Sequence, residues 1–160
     1  MKKALLAGLI GGIVGSLLTL PAFLIYLLPI ELGLTITLCA CIPYMLLYPG
    51  VGVLAAYWLT PPRSLQQGAI AGTLAGSVAF FIDGVFTFIV ALLFVLSGVY
   101  EQSMLDLFPN SWLYTPGLEL LTSPTGMLII TFSTVIFNIV IGTLMGALGG
   151  LVYAAMKPDA

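Results

Sequence analysis

The chain has 160 residues, 61% hydrophobic and 6% charged, with a formal net charge of −2 and no histidine. A soluble domain carries roughly a quarter of its residues charged, so a mean hydropathy of +1.20 excludes a water-dispersed globule and makes lipid the solvent. Four basic residues in all also exclude a nucleic-acid surface, which needs a clustered basic patch.

Crossing a hydrocarbon core of about 30 Å takes about 20 apolar residues per helix. Four runs are long enough: about 4–28, 33–59, 67–98 and 125–156. They do not alternate in the manner of barrel strands. The expected fold is therefore an all-α, integral membrane four-helix bundle, a single transmembrane domain over 1–160.

The first run opens "MKKALLAGLIGGIVG". Lys2 and Lys3 before an apolar stretch look like a secretory leader, but the stretch is too long and lacks a small-x-small cleavage site. It reads as an uncleaved span, bent near Pro21. Ala7, Gly11 and Gly15 recur on one face, and Thr19 follows a turn later. A turn around Pro29–Gly33 leads into the second span, where Pro43, Pro49 and Gly50 predict a bend or a break, since proline has no N–H to donate. Tyr44 lies at mid-depth. Cys39 and Cys41, at i and i+2, point to nearly opposite faces, form no pair, and are expected to be buried fillers. "TPPRSLQ" (60–66) then closes the helix.

The third span is longer than the hydrocarbon core, so it tilts or projects. It opens with "GAIAGTLAGS" (68–77), placing Gly68, Gly72 and Gly76 four residues apart. Asp83 is the only ionisable side chain deep in a span, and Thr87 lies one turn beyond it. Residues 99–124 form the only sizeable polar stretch. Met104, Leu105, Leu107 and Phe108 with Trp112 and Tyr114 predict an interfacial outer segment between helices 3 and 4. The fourth span carries Asn138 at mid-depth and the seam Gly142, Gly146, Gly150.

Lysine and arginine mark the cytoplasmic side. With four spans, Lys2, Lys3, Arg63 and Lys157 share one side, giving an N-in, C-in protein, expected in a prokaryotic plasma membrane. The glycine seams then fall in the cytoplasmic halves, together with Gly50, Gly52, Ala55 and Ala56. The outer halves hold bulk: Phe23, Tyr26, Phe86, Phe88, Phe94 and Phe132. Lipid tails are as apolar as leucine, so membrane helices associate by close backbone approach, which small-xxx-small seams permit. The expectation is a bundle pinched at the cytoplasmic end and wider outside.

Thr19, Tyr44, Asp83, Thr87 and Asn138 fall near one level. A charge at the bilayer centre costs at least roughly 2.5–3.5 kcal/mol, which makes Asp83 a candidate site for a proton, cation or small polar solute. The structural alternative is a protonated Asp83 bonded to Asn138 or Tyr44, locking helix register. No histidine is present to ligate a cofactor or metal or to activate a nucleophile. No cofactor, no metal site and no catalysis are expected, and "SLQQG" and "SPTG" read as cap chemistry.

"TFST" (131–134) resembles part of a fluoride-channel motif, but the arginine-bearing first span of those channels is missing. Glycine seams with a mid-membrane carboxylate resemble the ring proteolipids of rotary ATPases, in which the carboxylate lies on a different helix from the one expected here. "YPGVGVLAAYWL", "GAIAGTLAGS" and "GTLMGALGGLVYAAM" together resemble small prokaryotic four-span glycine-rich membrane proteins of unknown function. That resemblance implies no functional residues. The leading expectation is a non-catalytic accessory or scaffold subunit, or a homo-oligomer, whose partners are the bilayer and other membrane subunits or itself. The alternative is a small channel or transporter component using Asp83 and Asn138. A dry helix contact at Asp83 favours the first, and a cavity there the second.

Overall fold

The computed structural model describes residues 1–23, 27–28, 30–62, 64–100 and 123–157, with backbone alone at 30, 31 and 34. Four helices account for nearly all of these: α1 (Lys2–Phe23), α2 (Ile30–Tyr57), α3 (Leu65–Leu96) and α4 (Pro124–Met156). Each is long and apolar enough to cross a bilayer, and the protein is an all-α integral membrane bundle. Tyr26, Arg63 and the proposed surface segment at 101–122 lie outside the described residues.

Cap chemistry starts α3 and α4 where the sequence places it. Ser64 Oγ accepts from the Gln67 N–H at 3.1 Å while the Gln67 side chain accepts from the Ser64 N–H. Ser123 Oγ accepts from the Gly126 N–H, with Pro124 in the first turn. This satisfies N–H groups that a helix start leaves without partners.

Helices consecutive in the chain run antiparallel, so α1 lies parallel to α3 and α2 parallel to α4. Gly68, Gly72 and Gly76 of α3 meet Gly150, Gly146 and Gly142 of α4 in reverse order, and α3·α4 is the most extensive pair. Both α2 and α3 touch all three other helices closely, whereas α1 and α4 lie on opposite flanks.

Packing changes character along the bundle axis. In the half that carries the termini, backbones touch. A methyl built on Gly146 would stand 2.5 Å from the Gly72 carbonyl oxygen, and one on Gly68 would stand 2.5 Å from that of Gly150. Methyls on Gly52 and Gly72 would both strike the Gly146 carbonyl, so α2, α3 and α4 meet at one level. On α1, Gly8 and Gly12 press against Ala75, Val78 and Ile82 of α3, while Gly11 and Gly15 face Val51 and Leu47 of α2 as well as Ala79 and Asp83 of α3. Toward the opposite end rings replace glycines, with Phe23 against Phe94 at 5.5 Å and Phe88 against Phe132 at 6.2 Å. The bundle is pinched at the termini end.

Three details depart from the sequence reading. Of the bend or break expected at Pro43–Gly50, the break is absent: α2 is one continuous helix, because unpaired backbone groups are so costly in lipid that the ladder re-forms on either side of each proline. Gly50 has nothing within 4 Å and belongs to no seam. Cys39 and Cys41 are both exposed rather than buried, because the outer half of α2 turns much of its circumference away from the other helices.

Candidate functional site

Nine buried positions of α3 from Gly68 to Gly84 recur at three- and four-residue steps, and all but Phe80 and Asp83 are glycine or alanine. Phe80, 1% exposed, is the largest side chain buried on α3. It marks where the small-residue seam ends, and Asp83 lies one turn further, 2% exposed.

Both carboxyl oxygens of Asp83 have partners. Tyr44 Oη donates to Oδ2 at 2.7 Å, and Thr19 Oγ1 lies 3.2 Å from Oδ1. Close approach of α1 is possible because Gly15 sits beside the carboxyl, where an added Cβ would stand 3.3 Å from Asp83 Cγ. Asp83 thus ties α3 to α1 and α2. Asn138 does not bond it. Instead Asn138 Oδ1 accepts from Tyr48 Oη at a long 3.4 Å. Tyr48 stacks on Phe80 at 4.1 Å and meets Tyr44 edge-on at 5.4 Å. The result is a polar layer running Thr19–Asp83–Tyr44, then through the Tyr44–Tyr48 ring contact to Asn138, with a member on each helix.

Above this layer, away from the termini, lies a cavity of about 230 Å³ between the four helices. Its polar lining comes from Thr19, Thr37, Tyr44, Thr87, Thr134 and Asn138. Asp83 does not line it, but both of its hydroxyl partners do. No charged side chain lines the cavity among the described residues. A cleft of about 410 Å³ between α2 and α4 adjoins it, sharing Cys41 and Tyr44.

Four of the five expected polar residues, Thr19, Tyr44, Thr87 and Asn138, therefore converge on one space, with Asp83 directly beneath it. Thr37, Tyr48 and Thr134 were not singled out in the sequence. A signal for them existed: Thr37, Tyr44 and Tyr48 are spaced i, i+7, i+11, and Thr134 precedes Asn138 by four, so each set shares a helix face. Three hydroxyls of the termini half are occupied locally. Thr73, Ser77 and Thr143 donate to carbonyls of their own helices, and Ser77 meets Thr143 at 2.9 Å. The chain matches no protein-family model, no curated protein and no solved structure.

Proposed function

We propose that this protein is a non-catalytic membrane-embedded binding component, a small channel or transporter part that admits a small neutral solute to the cavity between its helices. One observation carries the reading: every helix contributes hydroxyl or amide groups to a single mid-membrane cavity, in a chain with 6% charged residues. Polar side chains in lipid are expensive and mark solute pathways when they converge. An engineered cavity of about 150 Å³ holds benzene, so about 230 Å³ suits a somewhat larger molecule. The uncharged lining selects a neutral one, oriented by Tyr44, Asn138 and the threonines. Asp83 acts from beneath by holding Tyr44 and Thr19 in place.

An accessory or scaffold role, alone or as a homo-oligomer, is the second reading. It is favoured by the burial of Asp83, whose two oxygens join three helices as a register lock would. Its expected docking surface is reduced, because the seam glycines of α1, α3 and α4 are used within the bundle, whereas Gly50 and Gly98 have open space where a side chain would go. For either reading we place the termini in the cytoplasm of a prokaryotic cell, on the basic-residue rule.

The test is reconstitution into vesicles with stopped-flow light scattering for small neutral solutes such as glycerol and urea. Flux above that of empty vesicles, lost when Thr87→Leu fills the cavity, is the expected outcome. A folded parent protein with no flux for any neutral solute overturns the transport reading and leaves the scaffold role.

A further inference from the structure

The hydroxyl of Thr19 has two acceptors and only one hydrogen. Its Oγ1 lies 3.0 Å from the Ser16 carbonyl oxygen and 3.2 Å from Asp83 Oδ1. It can donate to one of them at a time, yet both contacts are at hydrogen-bond distance. Ser16 does not relieve the conflict, since its own hydroxyl donates to the Gly12 carbonyl at 2.9 Å. Nor does Tyr44, whose single hydrogen is committed to Asp83 Oδ2.

The two contacts fit two protonation states of the carboxyl on one set of heavy-atom positions. With Asp83 ionised, Thr19 donates to Oδ1 and Tyr44 donates to Oδ2. With Asp83 neutral, the acid proton sits on Oδ1 and is donated to Thr19 Oγ1, while the threonine hydrogen turns to the Ser16 carbonyl. That carbonyl has a second lone pair free beside its helical bond. We infer that Asp83 is a reversible proton-binding site loaded from the cavity through Thr19, which serves as a one-residue proton relay.

The step balances. A water in the cavity gives a proton to Thr19 Oγ1, Thr19 passes its original hydrogen to Asp83 Oδ1, and the new O–H rotates onto the Ser16 carbonyl. One proton enters, the carboxylate becomes a carboxylic acid, and hydroxide or neutral water is left in the cavity according to whether water or hydronium was the donor. Thr19 and Tyr44 both line the cavity and Asp83 does not; Thr19 is the relay because its hydrogen has a second acceptor, the Ser16 carbonyl, to turn to. The titratable groups facing Asp83 are Tyr44 and Tyr48 of α2. α1 presents Thr19 and Ser16, and α4 presents the neutral Asn138; no lysine, arginine or second carboxylate faces it among the described residues. The proton site stands whether or not the cavity passes a solute.

Infrared difference spectroscopy of the full chain in lipid vesicles tests this, with Asp83→Asn identifying the carboxylic acid C=O band. The expected result is a band that appears on acidification and vanishes on return, with the helical amide signal unchanged. Thr19→Val is expected both to slow the band's appearance after a pH jump and to shift it to the position of an acid without a hydrogen-bond acceptor, and Thr19→Ser to restore both. A band present at every pH, or at none, in the folded protein overturns the site. A reversible band that Thr19→Val leaves in place overturns the relay. Flux is not part of the readout, so failure here is distinct from failure of the transport reading.

Discussion

At the level of single residues, Tyr44 is the group on which the polar layer depends most. Its hydroxyl is the shorter of the two contacts to Asp83, and its ring abuts both Tyr48 and Phe80. Tyr44→Phe keeps the ring and leaves Oδ2 without a donor. An acceptor stranded in a buried site costs about 1–3 kcal/mol, while hydrogen bonds between membrane helices average about 0.6 kcal/mol because the unfolded chain also finds partners. A loss near 1 kcal/mol is expected in unfolding from mixed micelles, and no change would mean that Tyr44 does not hold Asp83. That Asp83 bonds Asn138 or Tyr44 was legible in the sequence, because one carboxylate in four apolar spans has few partners at its depth, though not the choice of Tyr44. The Tyr48–Asn138 contact was not, because helix rotation decides which of two tyrosines one turn apart reaches α4.

At the level of whole helices, glycine has opposite meanings at two positions. Gly146 sits where α2, α3 and α4 converge, and any side chain there would meet the Gly72 carbonyl. Gly50 faces open space. Gly146→Ala must push backbones apart, and it is expected to destabilise the bundle by about 1–3 kcal/mol, as overpacking does. Gly50→Ala meets nothing and gains up to about 1 kcal/mol of helix propensity, so it is expected to be neutral or stabilising. Equal effects of the two substitutions in the same micelle titration would mean that the glycines act through propensity rather than contact. The seams on α3 and α4 could be read from their four-residue spacing alone. On α1 that spacing found Ala7, Gly11 and Gly15, which lie between α2 and α3, but passed over Gly8 and Gly12, a second ridge beside it pressed on α3. A helix gripped by two neighbours needs two small ridges, and the sequence does not say how many neighbours it has. Continuity of α2 through Pro43 and Pro49 was likewise hidden, since local propensity favours a break and the lipid environment opposes it.

At the level of the molecule, the taper makes the two ends different solvents. Where backbones touch there is no room for water, whereas the other half holds an open, largely apolar cavity into which hydroxyl and amide groups of all four helices reach. The two native cysteines report on this without added probes. Cys41 lines the cavity and the cleft that adjoins it. Cys39 is exposed but lines neither, and so points to acyl chains. A thiol reacts as the thiolate, which needs water. A small charged thiol reagent is therefore expected to modify Cys41 in a Cys39→Ser background, and to leave Cys39 unmodified in a Cys41→Ser background, where only a membrane-soluble reagent succeeds. Added outside right-side-out vesicles, the charged reagent should reach Cys41 directly if the termini are cytoplasmic. Reaction only from the inner face would reverse that topology while leaving the taper intact. If Cys41 is inert from both faces, the cavity is dry, no solute enters from water, and the bundle is a closed packing unit with Asp83 as its lock.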